Sequence, residues 1–197
     1  MAETMYAAPG VGLAAPQVGI GERMIVVDVD AENPGKHLLK LINPVIAERE
    51  GTILWEEGCL SVVDYTAEVR RSAWILLKAW TVDQQEVAIE GDGLLAVALQ
   101  HELDHLDGKL FIDRISALKR DSYKRRVRRM IREGIDLDTY KPESVEDEAS
   151  VGTQRTRITT KDTKPSFTGR LRVLCGASCS FVVSGRHALP RRLLRHA

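Results

Sequence analysis

Apolar, β-branched runs separated by turn residues fill the first ninety positions. Arg23 to Asp30 is bounded by Gly21 and by Asn33-Pro34-Gly35, and Leu38 to Glu50 is interrupted at Asn43-Pro44; both stretches predict strands. Trp74 to Val82 and Glu86 to Glu90 flank Asp83-Gln84-Gln85, which predicts a hairpin with its first strand facing a core. At Gly91-Asp92-Gly93 the periodicity changes, and Asp92 is placed to cap a helix from Gly93 to Leu106. Leu94, Leu95, Val97, Ala98, Leu99, Leu103 and Leu106 lie all round that helix, so it is predicted to be central rather than superficial. A second helix, about Ser116 to Glu133, carries eight Lys or Arg between Lys119 and Arg132 against Asp121 alone, and its apolar side is thin. No internal repeat is visible.

Composition adds one domain and one boundary. With 197 residues, 44% hydrophobic and 28% charged, the chain can bury a single full core. Its formal net charge is zero, but residues 145–197 hold ten Lys or Arg against four acids, so the preceding 144 residues carry −6. This shift, together with the polar stretch from Lys141 to Pro165, predicts an ordered catalytic domain over 1–140 and a polar, basic, disordered tail over 141–197. Three cysteines at irregular spacing, Cys59, Cys175 and Cys179, disfavour a secreted disulfide scaffold and point to a reducing cytoplasm. The Cys175 to Cys179 spacing does not match a zinc-ribbon pair. No run approaches the ~18 consecutive apolar residues of a membrane span.

The chemistry concentrates on the central helix. In His101-Glu102-Leu103-Asp104-His105 the i, i+4 spacing puts both imidazoles on one helical face, where they can share a metal ion with Glu102 beside its water. Unpartnered buried polar groups cost about 1–3 kcal/mol each, so two histidines and an acid in an apolar helix call for a metal or for mutual pairing. The motif alone suggests a zinc peptidase, yet Phe111 stands where a metzincin would supply its third histidine. Cys59, in Glu56-Glu57-Gly58-Cys59-Leu60-Ser61, is the natural third ligand. Taken alone it would be read as a small buried hydrophobe. A Cys plus two His leaves a fourth position open, as in a catalytic site. Upstream, the glycine- and alanine-dense run from Gly10 to Gly19 permits close backbone approach and offers one amide, Gln17, but lacks the features of a nucleotide loop.

Together Gly10 to Gln17, Glu57 to Ser61 and Gln100 to His105 resemble, in order, the three motifs of the peptide deformylases, and the similarity extends through Phe111-Ile112-Asp113-Arg114 to the basic helix. The resemblance implies an α+β fold with antiparallel sheets around a central metal-binding helix, a C-terminal basic helix and, in this chain, an irregular tail. It implies removal of the formyl group from N-formyl-methionyl nascent polypeptides with release of formate. The metal ligands would be Cys59, His101 and His105. Glu102 would be the general base and then the acid, and the Gln17 amide and Leu60 N–H would stabilise the oxyanion. Val11, Gly12, Leu60, Leu94, Val97 and Ala98 would surround the methionine side chain, with backbone near Glu57 holding the peptide extended. Fe2+ is the ion the resemblance implies first, with Zn2+, Ni2+ or cobalt able to replace it. Gln100, Asp104 and Arg71 are candidates for orienting the ligands, Arg71 being read equally as a solvated surface residue.

The chain departs from the family pattern in three places. It starts inside the first helix of that pattern, has Val63-Asp64 after the cysteine motif where many members have Pro-Gly or similar, and carries the basic tail. The competing readings are an HExxH zinc peptidase and a non-catalytic relic that binds ribosomes or RNA through the Ser116–Glu133 helix.

Overall fold

The computed structural model describes residues 1–137, 140 and 172–175. Helix α1 (Ala2–Ala7) leads into β1 (Gly12–Ala14), a 3-10 turn over Ala15–Val18 and β2 (Met24–Val27). Then follow β3 (Leu39–Glu50), β4 (Ile53–Cys59), β5 (Val62–Arg71), β6 (Trp74–Trp80), β7 (Glu86–Asp92), α2 (Gly93–Leu106), a 3-10 turn over Phe111–Asp113, α3 (Ala117–Arg132) and β8 (Arg172–Cys175). The six-stranded sheet runs β1-β2-β3-β6-β7-β8, antiparallel at every junction, and β4 and β5 form a separate hairpin. This is the α+β arrangement that the motifs implied.

The two helices match their predicted spans, because capping and periodicity are local properties. Helix α2 closes in a Schellman motif, with Gly108 at φ +69, its N–H donating to His105 O and that of Lys109 to Asp104 O. The Asp92 side chain makes no capping bond. At α3 the Ser116 hydroxyl accepts from Lys119 N at 3.4 Å. Asn43-Pro44 does not split the third strand. It is absorbed by an irregularity between Ile42 and Val45, with Asn43 at φ +51, and β3 continues to Glu50. Of the tail, only Arg172–Cys175 is described, as the strand pairing with β7. The rest of 141–197, Cys179 included, lies outside the described residues.

Two cores flank α2. At 100° per residue Leu95, Leu99 and Leu103 form one stripe, which packs with Ile25, Val27, Ile75, Leu77 and Ile89 of the sheet. Leu94, Val97, His101 and His105 form the opposite stripe, toward β4. The hairpin has its own smaller core of Val62, Ala67 and Val69 with Phe111 and Ile112. Thus α2 is apolar all round because it is wedged between a sheet and a hairpin, and the motif residues lie on the hairpin side.

Candidate active site

The second and third motifs meet where the end of β4 approaches the middle of α2. Cys59 Sγ lies 3.2 Å from His105 Nε2, and the donor atoms of Cys59, His101 and His105 all fall within 4.8 Å of one another. Burial pushes the Cys59 thiol up, but hydrogen bonds to His101 and His105 outweigh it and hold the thiol down at about 6. Burial pulls His101 down, while its bonds to Cys59 and Glu57 lift it to about 10. A thiolate and two imidazoles at this spacing fit one tetrahedral ion with an open position.

Glu102 stands beside them, and burial raises its carboxyl to about 7 against the pull of His101 and His105. Its Oε2 is buried with no hydrogen-bond partner among the described residues. An orphaned carboxylate oxygen is costly, and its position next to three ligand atoms fits an ion with bound solvent there. The same carboxylate rests on Gly12: a Cβ at that position would come within 2.8 Å of Glu102 Cδ and 2.9 Å of its Cγ. A side chain there would push the Glu102 carboxylate aside. Gly12→Ala should lower turnover about tenfold or more while leaving metal content unchanged, since it displaces the carboxylate and no ligand. Comparing metal analysis with kcat checks this.

The Gln17 side chain is held at both ends. Its Oε1 accepts from Ala14 N at 2.8 Å, and its Nε2 donates to Ser61 Oγ at 3.1 Å, with Cys59 Sγ at 3.9 Å. The amide donor is thereby aimed at the cysteine motif.

Sequence reasoning left Arg71 undecided, and the structure places it in the interior. It is 3% exposed, gives Nε and Nη2 to Glu57 at 2.6 and 2.8 Å, and gives Nη1 to Asp104 at 2.5 Å. Glu57 Oε2 in turn takes His101 Nδ1 at 2.8 Å, which turns the other ring nitrogen toward the ligand cluster. Burial raises Glu57 and Asp104, but Arg71 together with His101 or Arg114 brings both carboxyls below their ordinary range. The carboxylate of Glu57 is thus spent on Arg71 and His101. Arg114 closes the far end with a bidentate pair to Asp104. Gln100 does not reach the histidines; it bonds Ser72 N and O and Ala96 O, tying α2 to the β5–β6 connection.

A pocket of about 220 Å³ opens onto the cluster. Val11, Gly12 and Gln17 of the first motif line it, as do Glu57, Cys59 and Leu60 of the second. From α2 come Leu94, Val97, Ala98, His101 and Glu102, while His105 lies beneath and is 7% exposed. Trp55 and Glu56 also line it, and neither was singled out as a pocket residue from the sequence; their position at the start of the cysteine motif was the available signal. Phe111, where a third histidine would stand in a metzincin, is instead 1% exposed and stacks on His101 at 6.3 Å.

An open metal-binding cluster, a buried carboxylate near neutrality and an apolar pocket with an amide donor at its rim define a metal-dependent hydrolase of amide bonds. The polypeptide deformylase family profile matches residues 1–121. The chain belongs to that family. It is 50% identical over 133 residues to a peptide deformylase of Syntrophobacter fumaroxidans, covering 68% of this chain and 78% of the relative. It is 53% identical over 127 residues to one of Rhizobium meliloti, covering 64% and 73%. The crystal structure of a peptide deformylase from Legionella pneumophila superposes with TM-score 0.62 at 42% identity, covering 68% of this chain and 78% of that one. Members are metal-dependent enzymes acting on formylated nascent peptides, and the activity of this chain follows from that membership. None of the described helices is long and apolar enough to cross a membrane.

Proposed function

We propose that Cys59, His101 and His105 hold one divalent ion and that Glu102 moves the protons as the chain removes the formyl group from N-formyl-methionyl polypeptides. The observation that carries this assignment is the buried, unpartnered Glu102 carboxylate beside a Cys-His-His cluster. When bound, the ion supplies Lewis-acid polarisation and acidifies water. Glu102 takes a proton from the attacking water and returns it to the departing α-amine, which suits a carboxyl held near neutrality. The Gln17 amide and the Leu60 N–H donate to the oxyanion of the tetrahedral intermediate. Glu57 fixes the His101 ring, and Arg71 fixes Glu57. Val11, Gly12, Leu60, Leu94, Val97 and Ala98 receive the methionine side chain, and backbone at Gly10 to Gly12 and Glu57 aligns the peptide.

We assign Fe2+ as the native ion on the family resemblance; the same thiolate and imidazoles suit Zn2+ or Ni2+. The proposed catalytic unit is 1–140, since every assigned side chain lies between Val11 and His105, and its proposed compartment is the cytoplasm. The test is anaerobic purification with metal analysis and a formate-release assay on formyl-Met-Ala-Ser. One ion per chain and stoichiometric formate are expected. A fully loaded protein that releases no formate overturns the assignment.

The outer face of α3 supports a second part of the proposal, docking on ribosomal RNA. Lys119, Lys124, Arg125, Arg128, Arg129 and Arg132 are exposed, whereas Arg120 and Arg126 turn toward Asp113 and Asp64. Reversing Arg125, Arg128 and Arg129 to Glu should abolish co-sedimentation with ribosomes at low salt and leave hydrolysis of a free formyl tripeptide intact. Equal co-sedimentation of parent and variant would return α3 to an ordinary solvated helix.

A further inference from the structure

The β4–β5 hairpin is uneven beside the cluster. Glu57 pairs with Ala67 and Cys59 with Val62, so β4 advances two residues while β5 advances five. The surplus is an excursion over Val63–Thr66, with Asp64 at φ +45. Such a bulge leaves residues without ladder partners, so its shape is set by side-chain anchors rather than by strand pairing. Only Val62 separates it from Leu60-Ser61, the two-residue turn that joins β4 to β5. Any freedom in the excursion is therefore freedom in the turn that carries a metal ligand and a proposed oxyanion donor.

The anchors come from α3, some sixty residues away in sequence. Arg126 Nη1 donates to the Asp64 carbonyl at 2.9 Å, and its Nη2 pairs with the Asp64 carboxylate. One turn earlier on the helix, the Tyr123 hydroxyl faces the Val63 backbone, and its ring packs on Tyr65 with centroids 4.8 Å apart. Tyr65 continues to Phe111 at 6.1 Å, and Phe111 stacks on the ligand His101. At the other end, Thr66 Oγ1 donates to Glu56 at 3.0 Å. The excursion is thus gripped through both its backbone and its one acidic side chain.

We infer that Arg126 is a positioning residue for the reaction: with Asp64 it clamps the Val63–Thr66 excursion and so fixes the Leu60-Ser61 turn against the reacting centre. The inference rests on the deformylase reading of the site. Arg126 touches neither ligand nor pocket, and its ion pair is 35% exposed on both sides, so its loss should matter little to global stability. A displaced oxyanion donor, by contrast, acts on the rate.

The test uses the metal-loaded full chain with Arg126→Gln, Asp64→Asn, the double variant and Arg126→Lys. Asparagine tolerates positive φ and keeps the carbonyl acceptor, so the second variant removes only the charge. Each single change should lower kcat roughly tenfold, with KM within about twofold and metal content unchanged. The double variant should be no slower than Arg126→Gln alone, because the charge lost in Asp64→Asn acts only through Arg126, and Arg126→Lys should recover part of the loss. Amide hydrogen exchange over Leu60 to Thr66 should accelerate about tenfold in both singles while β6 and β7 keep their protection. Additive losses in kcat, or an excursion whose exchange is unchanged, overturn the inference. The exchange measurement needs no turnover, so it judges the clamp even if the parent releases no formate, a result that would instead sink the deformylase reading.

Discussion

Glu102→Gln should retain one ion per chain and lose turnover by a factor of about 100 to 10,000, the range expected when a positioned general acid–base is removed. The amide preserves the shape that Gly12 accommodates, so the pocket and the Leu94–Val97 wall should not move. It cannot accept the water's proton, and it cannot return one to the departing amine. Both halves of the reaction therefore fail together, and a lowered kcat with little change in KM is the expected signature. Metal analysis beside single-turnover formate release checks this. Activity within tenfold of the parent would remove Glu102 from its role, leaving its raised carboxyl and orphaned Oε2 to be explained otherwise.

Cys59→Ser and His105→Ala should each abolish stoichiometric metal binding, and with it formate release. Three protein donors fill three of four coordination positions, and removing one leaves two, too few to compete with water and buffer. Serine at position 59 is the sharper probe: it nearly keeps the size of the side chain but cannot supply an anionic donor at neutral pH, whereas the parent thiol is already held at about 6 by His101 and His105. Full occupancy of either variant, measured after anaerobic purification, would mean the ion sits elsewhere. His101→Ala should do the same and should also free Glu57, leaving that buried carboxylate with Arg71 alone.

The second-layer residues divided according to what a sequence can express. Asp104 and Arg71 could be suspected from their types, but Arg71 lies 33 residues from Asp104 and 14 from Glu57, and only the approach of the hairpin to α2 turns these three into one network. Gln100, adjacent to His101, was suspected for the same reason and proved to tie α2 to Ser72. Adjacent helical residues point about 100° apart, and that rotation carries Gln100 to the side of α2 that meets Ser72.

The α2 helix and its face-sharing histidines, the strands around Ile25 and Leu77, the tight Gly/Ala segment and the cysteine motif were all legible from the sequence, because each depends on spacing within a few residues. From them came the proposed ligand set, the proposed base and the family. Tertiary structure decided what spacing cannot encode: that Arg71 is buried, that Trp55 and Glu56 reach the pocket, and that Gly12 is glycine because a carboxylate occupies the space of a Cβ. It also decided that Arg126, one of eight cations on a helix that reads as uniformly solvated, is committed to Asp64. Each of these is a contact between segments far apart in the chain, and its energy exists only once the sheet, hairpin and helices have packed.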